Sequence, residues 1–158
     1  MKRPWNRTDL NIYSLATYNK KEINMNICTY VSVVNMHPKL YMISIDYNTL
    51  TYQNLNKKNT SSILQCLSIN NLNIVKNMGK KSGKNFDKLK YLSKNNLISN
   101  WKNYPVLKKT CFLIELCNAK KVYEMQDHCM YVFQMKSFKN FDNKFLILSD
   151  LISNKIIL

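Results

Sequence analysis

Hydrophobic and polar positions alternate through much of the first third of the chain. LNIYSLATYN at 10 to 19 alternates in part, a lysine pair with Glu22 marks a turn into INMNICTYVSVVN at 23 to 35, and MHP turns the chain into KLYMISID at 39 to 46. Runs of β-branched and aromatic residues broken by short polar links predict an antiparallel meander of three strands. After Asp46 the period changes. TLTYQNLNKKN offers Thr49 or Thr51 as an N-cap and spaces Tyr52 and Leu55 three apart, which predicts a short helix. TSSILQCLS at 60 to 68 predicts another strand. NNLNIVKNMG, with Leu72, Val75 and Met78 at helical spacing, predicts a second helix stopped by Gly79.

Beyond Gly79, DKLKYLSKNNL carries a helical turn or two, and VLKKTCFLIELCNAKKVYEM at 106 to 125 is long enough for one bent strand or two. HCMYVFQMKSF at 128 to 138 is a strong strand, and FLILSDLI near the end is expected to pair on a sheet edge. About six strands with short helices and no regular βαβ alternation predict a mainly β chain, folded as a closed or half-closed antiparallel barrel. With no internal repeat and no linker, residues 1–158 are expected to form a single domain.

Composition narrows the setting. Apolar runs such as CFLIEL and FLIL fall far short of the roughly 20 residues of a membrane helix. The basic start MKRPWNRTDL has no apolar stretch behind it, so no secretory signal or membrane partner is expected and the cytoplasm is the default location. Cys28, Cys66, Cys111, Cys117 and Cys129 form no C-x-x-C pair and are expected to be free thiols. His37 and His128 are far apart and lack ligand spacing, so no metal site is expected.

The net charge of +15 would ordinarily suggest nucleic acid. The lysines, however, are spread from Lys2 to Lys155, most of them from Lys20 onward, and arginine occurs only at Arg3 and Arg7. Lys, Asn and Ile share AT-rich codons, and sequence-specific readers of DNA favour arginine. A generic attraction to anions is therefore expected, and no specific nucleic-acid partner.

Residues 79 to 89, GKKSGKNFDKL, hold both glycines of the chain and suggest a phosphate grip. The nucleotide P-loop is excluded by spacing: only Lys80, Lys81 and Ser82 separate Gly79 from Gly83, and Asn85 stands where the metal-binding Ser or Thr belongs.

Four motifs in order resemble the flavin reductase-like family. They are NMNICTYVSVVNMHP before a proline turn, TYQNL opening a helix, Ser82-Gly83-Lys84-Asn85-Phe86-Asp87-Lys88, and Asp127-His128 opening a strand. The resemblance covers nearly the whole chain. It implies the FMN-binding split β-barrel fold, six-stranded, antiparallel and Greek-key-like. It further implies a homodimer that binds FMN, with FAD or riboflavin as alternatives, and uses NAD(P)H as co-substrate for hydride transfer to flavin.

Carried over residue by residue, the resemblance places Asn24, Met25, Asn26, Ile27 and Cys28 along the flavin ring. Thr49 or Thr51 lies at its phosphate, Ser82, Gly83, Lys84 and Lys88 lie near flavin or dinucleotide phosphates, and His128 lies at the flavin edge or nicotinamide as the catalytic candidate. Asp87 would orient Lys88 or the local backbone. A plain helix N-cap and a solvated basic turn are the structural alternatives for Thr49 or Thr51 and for the 79 to 89 loop.

Three departures stand out. Asn26 and Cys28 replace the family's Thr and Ser, and a thiol hydrogen-bonds a flavin carbonyl poorly. Phe133 replaces a glycine five residues after the His and would narrow the pocket if it faced it. They keep two other functions open, a flavin-binding electron carrier or FMN store, and a basic binding module that has lost flavin. The absence of a catalytic triad does not count against a reductase, because the cofactors carry the reactivity and the protein has only to stack them at about 3 to 3.5 Å.

Overall fold

The computed structural model describes residue 4 and residues 8–20 and 22–157. The chain runs β1 (Tyr13–Asn19), β2 (Glu22–Met25), β3 (Val31–Asn35), β4 (Leu40–Asp46), α1 (Leu50–Leu55), β5 (Ser61–Cys66), a short 3-10 turn (Ile69–Asn71) and α2 (Leu72–Lys80). It continues with α3 (Lys88–Lys94), β6 (Ile98–Trp101), β7 (Tyr104–Leu107), β8 (Phe112–Glu124), β9 (His128–Asn140) and α4 (Leu148–Ser153). Among the described residues no helix is long and apolar enough to cross a membrane.

Seven strands form one sheet in the order β2-β1-β5-β8-β9-β4-β3, and every pairing in it is antiparallel. The expected mainly β split barrel is therefore found, with one strand more in its sheet than the predicted six. The extra strand arises inside the stretch at 23 to 35, which the residue pattern treats as continuous. Its first half pairs with β1, in register Ala16 to Met25, and its second half pairs with β4, in register Val31 to Ile43. Residues 26–30 cross between the two sheet edges, held to β1 by the Tyr13–Cys28 bridge and to β4 by Ser44 N–H donating to Tyr30 at 3.1 Å.

Strand alternation sorts side chains into two layers. Leu15, Ile43, Leu64, Ile114, Tyr131 and Phe133 pack inside the curved sheet. Ala16, Met25, Ile63 and Leu113 pack outward against Ile74, Val75 and Met78 of α2, Leu92 of α3 and Leu148 and Leu151 of α4. Because β1 is buried on both faces, its pattern is nearly continuous, which explains the partial alternation of LNIYSLATYN.

Two expectations require correction, and one element was not expected. FLILSDLI does not form an edge strand: Phe145 and Ile147 make single bridges to Ser68 and Asn11, and the chain then turns into α4. Asp150 accepts from Ile147 N–H at 3.1 Å, and Asp9 accepts from Ser149 N–H at 2.9 Å, so two carboxylates satisfy donors at the helix start. Gly79 does not stop α2, which continues to Lys80, and neither glycine has positive φ. Residues 98–107 form a separate hairpin, β6–β7, whose turn places both Lys102 and Asn103 at positive φ (50 and 67°). Two such residues make a type I′ turn, here without the glycine that usually advertises it.

Candidate functional site

A cleft of about 240 Å³ opens where β2, the β4–α1 connection and the loop after α2 meet. Asn24 lines it from β2, Asn26 and Ile27 from the crossing segment, Thr49 from the start of α1, Ser82 and Gly83 from the loop, and Lys88 from the start of α3. Gly83 also borders a wider, more open cavity of about 600 Å³ that includes Lys84, Phe86 and Asp87. Asn24, Leu50, Gly83 and Lys88 are common to both cavities, so the loop divides one trough into two parts.

Close approach is the reason for glycine at 83. A Cβ there would stand 2.3 Å from Asn24 Oδ1 and 3.1 Å from Leu50 Cδ2, far inside van der Waals contact. Asn24 cannot easily move aside, since its Nδ2 donates to the fully buried Thr51 Oγ1 at 2.9 Å. Thr51 thus braces Asn24 from below, and its hydroxyl is occupied away from the cleft. The N-cap of α1 is Thr49, whose Oγ1 accepts from Tyr52 N–H at 3.2 Å and donates to the Asp46 carbonyl at 2.7 Å.

Asn26 is held by a backbone mimic. Its Oδ1 accepts from Leu15 N–H at 2.9 Å, which extends the β1 ladder by one side-chain bond. Among the described residues Nδ2 has no protein partner, and Asn26 lines the cleft. The neighbours alternate inward: Met25 is fully buried in the outer core, and Cys28 packs against the inner one. Burial pushes the Cys28 thiol up to about 12, so it stays protonated. Neither side chain lines the cleft, and any contact there falls to the backbone. Phe133, expected to narrow the pocket if it faced it, points into the inner core at 1% exposure and lines neither cavity.

Lys88 is the least ordinary residue of the site. It is buried at 5% exposure, and its Nζ donates to the Met78 carbonyl at 2.6 Å, among the last carbonyls of α2. No carboxylate lies within ion-pair distance of it among the described residues. Burial without a counter-charge pulls its pKa down to about 8. Asp87 serves the backbone, capping α3 by accepting from Lys90 N–H at 2.9 Å. Ser82 Oγ accepts from Lys84 N–H at 3.3 Å, and Lys81 stands over the Phe86 ring at 4.4 Å, so the basic loop is folded upon itself.

His128 lies apart from this cleft. It pairs with Asp46, a cleft residue, in the β4–β9 ladder, and its Nδ1 contacts Asp127 Oδ1 at 2.8 Å. Its ring is 5.8 Å from that of Tyr30, which is 59% exposed. The structure therefore gathers Asn24, Asn26, Ile27, Thr49, Ser82, Gly83 and Lys88 and leaves His128 outside the cleft lining. Sequence reasoning did not single out Leu50, which forms a wall, and did not separate the role of Thr51 as brace from capping.

A cleft with an unpaired amide donor, an uncompensated ammonium and a glycine that admits no side chain suits a flat ligand with carbonyls and an anionic group. The model of the flavin reductase like domain matches residues 7–150. Flavin reductase PheA2 is similar in structure, with TM-score 0.73 at 15% identity over 90% of this chain and 87% of that one. An FMN-binding protein from Thermus thermophilus, solved with p-hydroxybenzaldehyde, has TM-score 0.74 at 16% identity over 89% and 77%. The NADH:FAD oxidoreductase SgcE6 of Streptomyces globisporus has TM-score 0.72 at 11% identity over 87% and 79%. At these identities the structural likenesses establish the fold alone. No curated protein sequence matches the chain. The domain match spans nearly the whole length, and the chain belongs to the flavin reductase like family.

Proposed function

We propose that the chain is an NAD(P)H-dependent flavin reductase that takes FMN in the cleft around Gly83. The observation that carries this reading is Lys88, a buried ammonium with no counter-charge among the described residues, in the same cleft lining as Asn26, whose Nδ2 has no partner among them. An anionic ligand offers Lys88 the partner it lacks, and a ring carbonyl offers Asn26 an acceptor. FMN is preferred because the Thermus thermophilus relative carries that name and both features suit a flavin monophosphate.

Bound flavin supplies the two-electron acceptor chemistry. The chain's own residues bind and orient. Asn26 donates at the polar edge, Gly83 lets the backbone approach the ligand closely, Lys88 neutralises negative charge, and Thr49 and Ser82 add hydroxyls to the lining. Lys84, exposed in the wider cavity, draws in the anionic nicotinamide dinucleotide.

The dimer belongs to the same reading. A row of neighbouring residues runs across three strands and the crossing segment through Tyr123, Met130, Ser44 and Tyr30, and the tyrosines at its ends are 64% and 59% exposed. A second copy of the chain covers this face, and His128 at its edge joins the cofactor site only in that assembly.

The experiment is oxidation of NADH and NADPH by purified protein with and without added FMN. FMN-stimulated oxidation is expected. Bound flavin without turnover would replace the reductase by an electron carrier, and failure to bind flavin at high FMN would remove both.

A further inference from the structure

We propose a second ligand site, for a small planar aromatic anion, in the cavity between the β6–β7 hairpin and the C-terminal part of β9. The cavity has a volume of about 400 Å³, within the ~300 to 1,000 Å³ usual for small-molecule sites. It shares no lining residue with either part of the trough around Gly83.

Its floor is apolar and firm. Val106, Leu107 and Leu113 are buried at 2%, 2% and 1% exposure, with the hydroxyl residue Thr110, buried at 2%, as the one buried polar side chain in the lining. Its sides are aromatic: Trp101 from the hairpin, and Phe141 from just beyond β9, which remains 54% exposed although it borders a cavity. An exposed ring beside an apolar floor offers a stacking face to another ring.

The rim decides the charge of the ligand. Lys108, Lys109 and Lys139 line the cavity, and no acidic residue does. Lys139 Nζ lies 5.3 Å from the centroid of the Phe141 ring, so a cation already stands beside the stacking face. Lys108 Nζ donates to the neutral amide of Asn96 at 2.6 Å, and none of the three lysines forms an ion pair among the described residues.

The nearby carboxylates are occupied elsewhere. Glu115 is held by Lys102, Lys136 and Ser137, and Asp142 accepts from the backbone N–H of Asn143 at 2.7 Å. Three ammonium groups around one apolar slot repel each other, and an anion attached to a ring that fills the slot relieves that repulsion while it stacks. The geometry points to an aryl carboxylate or aryl phosphate, recognised through ring and charge together.

The test uses the full chain and four probes followed by calorimetry and by amide chemical shifts. Phenyl phosphate and benzoate carry ring and charge, benzyl alcohol carries the ring alone, and inorganic phosphate the charge alone. Phenyl phosphate or benzoate is expected to bind roughly tenfold more tightly than benzyl alcohol or inorganic phosphate, with shifts at Trp101 and Phe141. Lys139→Gln and Phe141→Leu, both at exposed positions, are each expected to weaken it about fivefold. The proposal is overturned if ring and charge together bind no better than either alone. It is also overturned if neither substitution weakens binding, or if the shifts fall only on residues around Gly83.

Discussion

Lys88 Nζ reaches back to the carbonyl of Met78 at 2.6 Å, so a buried ammonium ties the C-terminal turn of α2 to the start of α3 beneath the basic loop. One side chain thereby closes the loop and places a positive charge under the cleft. Its two roles separate on substitution. Lys88→Met removes the charge and keeps most of the volume, and a buried charge without a counter-charge contributes little net stability. The thermal midpoint is expected to hold or rise. The dissociation constant for FMN is expected to rise about tenfold, the equivalent of one charge-assisted contact of about 1.5 kcal/mol. Paired melting curves and FMN titrations check this.

The same lysine gives a pH dependence. Its folded pKa of about 8 lies below the value of about 10.4 for a free lysine, so above pH 8 the unfolded chain binds more protons than the folded one. Folding stability is therefore expected to gain from Lys88 as pH rises from about 8 to about 10.4, while FMN affinity falls because the ammonium is lost. Titrations at neutral and alkaline pH, with Lys88→Met as control, measure both, and the control is expected to lose both trends.

The two glycines answer differently to alanine. At Gly83 the new Cβ would meet Asn24 Oδ1 at 2.3 Å, so Asn24 must give up its bond to Thr51. Gly83→Ala is expected to destabilise by about 1 to 3 kcal/mol. At Gly79, within α2, the Cβ would lie 3.8 Å from Ile27, an ordinary contact. Gly79→Ala is expected to stabilise by about 0.5 to 1 kcal/mol, as alanine does in a helix. Denaturant unfolding of the two variants distinguishes them by sign.

Glu115 anchors the hairpin that the residue pattern did not show. Its carboxylate accepts from Lys102 Nζ and Ser137 Oγ at 2.7 Å each and pairs with Lys136 at 3.0 Å, and chiefly the Lys102 bond draws its pKa down to about 2. A depressed carboxylate contributes stability that is complete above the unfolded value of about 4.3 and is lost as pH falls through 2. Glu115→Gln is expected to cost about 1 kcal/mol at neutral pH, and its stability should converge with that of the parent chain near pH 2. Thermal melts across that range test it.

The exposed row ending in Tyr30 and Tyr123 predicts the assembly state. Sedimentation of the parent chain is expected to give a dimer, and Tyr123→Glu a monomer, since a charge in a covered face is left without water or partner. A parent chain that sediments as a monomer at all concentrations would remove this part of the proposal.

Legibility followed the strength of local signals. β1, β4, β5 and the helices α1 to α3 sit where periodicity places them, helped at α1 by the cap Thr49, whereas Asp87 as the cap of α3 was not read from the sequence. The break of 23 to 35 into β2 and β3 was not legible, since its cause is a crossing between strands distant in sequence. The β6–β7 hairpin was hidden because Lys102 and Asn103 adopt positive φ without glycine. In the site, the residue types at 24, 26, 83 and 88 were visible. That Thr51 braces Asn24, that Lys88 turns back to Met78 and that Phe133 points into the core depend on tertiary placement that a motif does not encode.

The most direct test of the central claim is a titration of FMN fluorescence with the parent chain and with Gly83→Val. The account predicts saturable quenching by the parent and none by the variant, whose side chain would fill the approach between Asn24 and Leu50. Unquenched FMN with the parent at saturating protein, or equal binding by both, would contradict it.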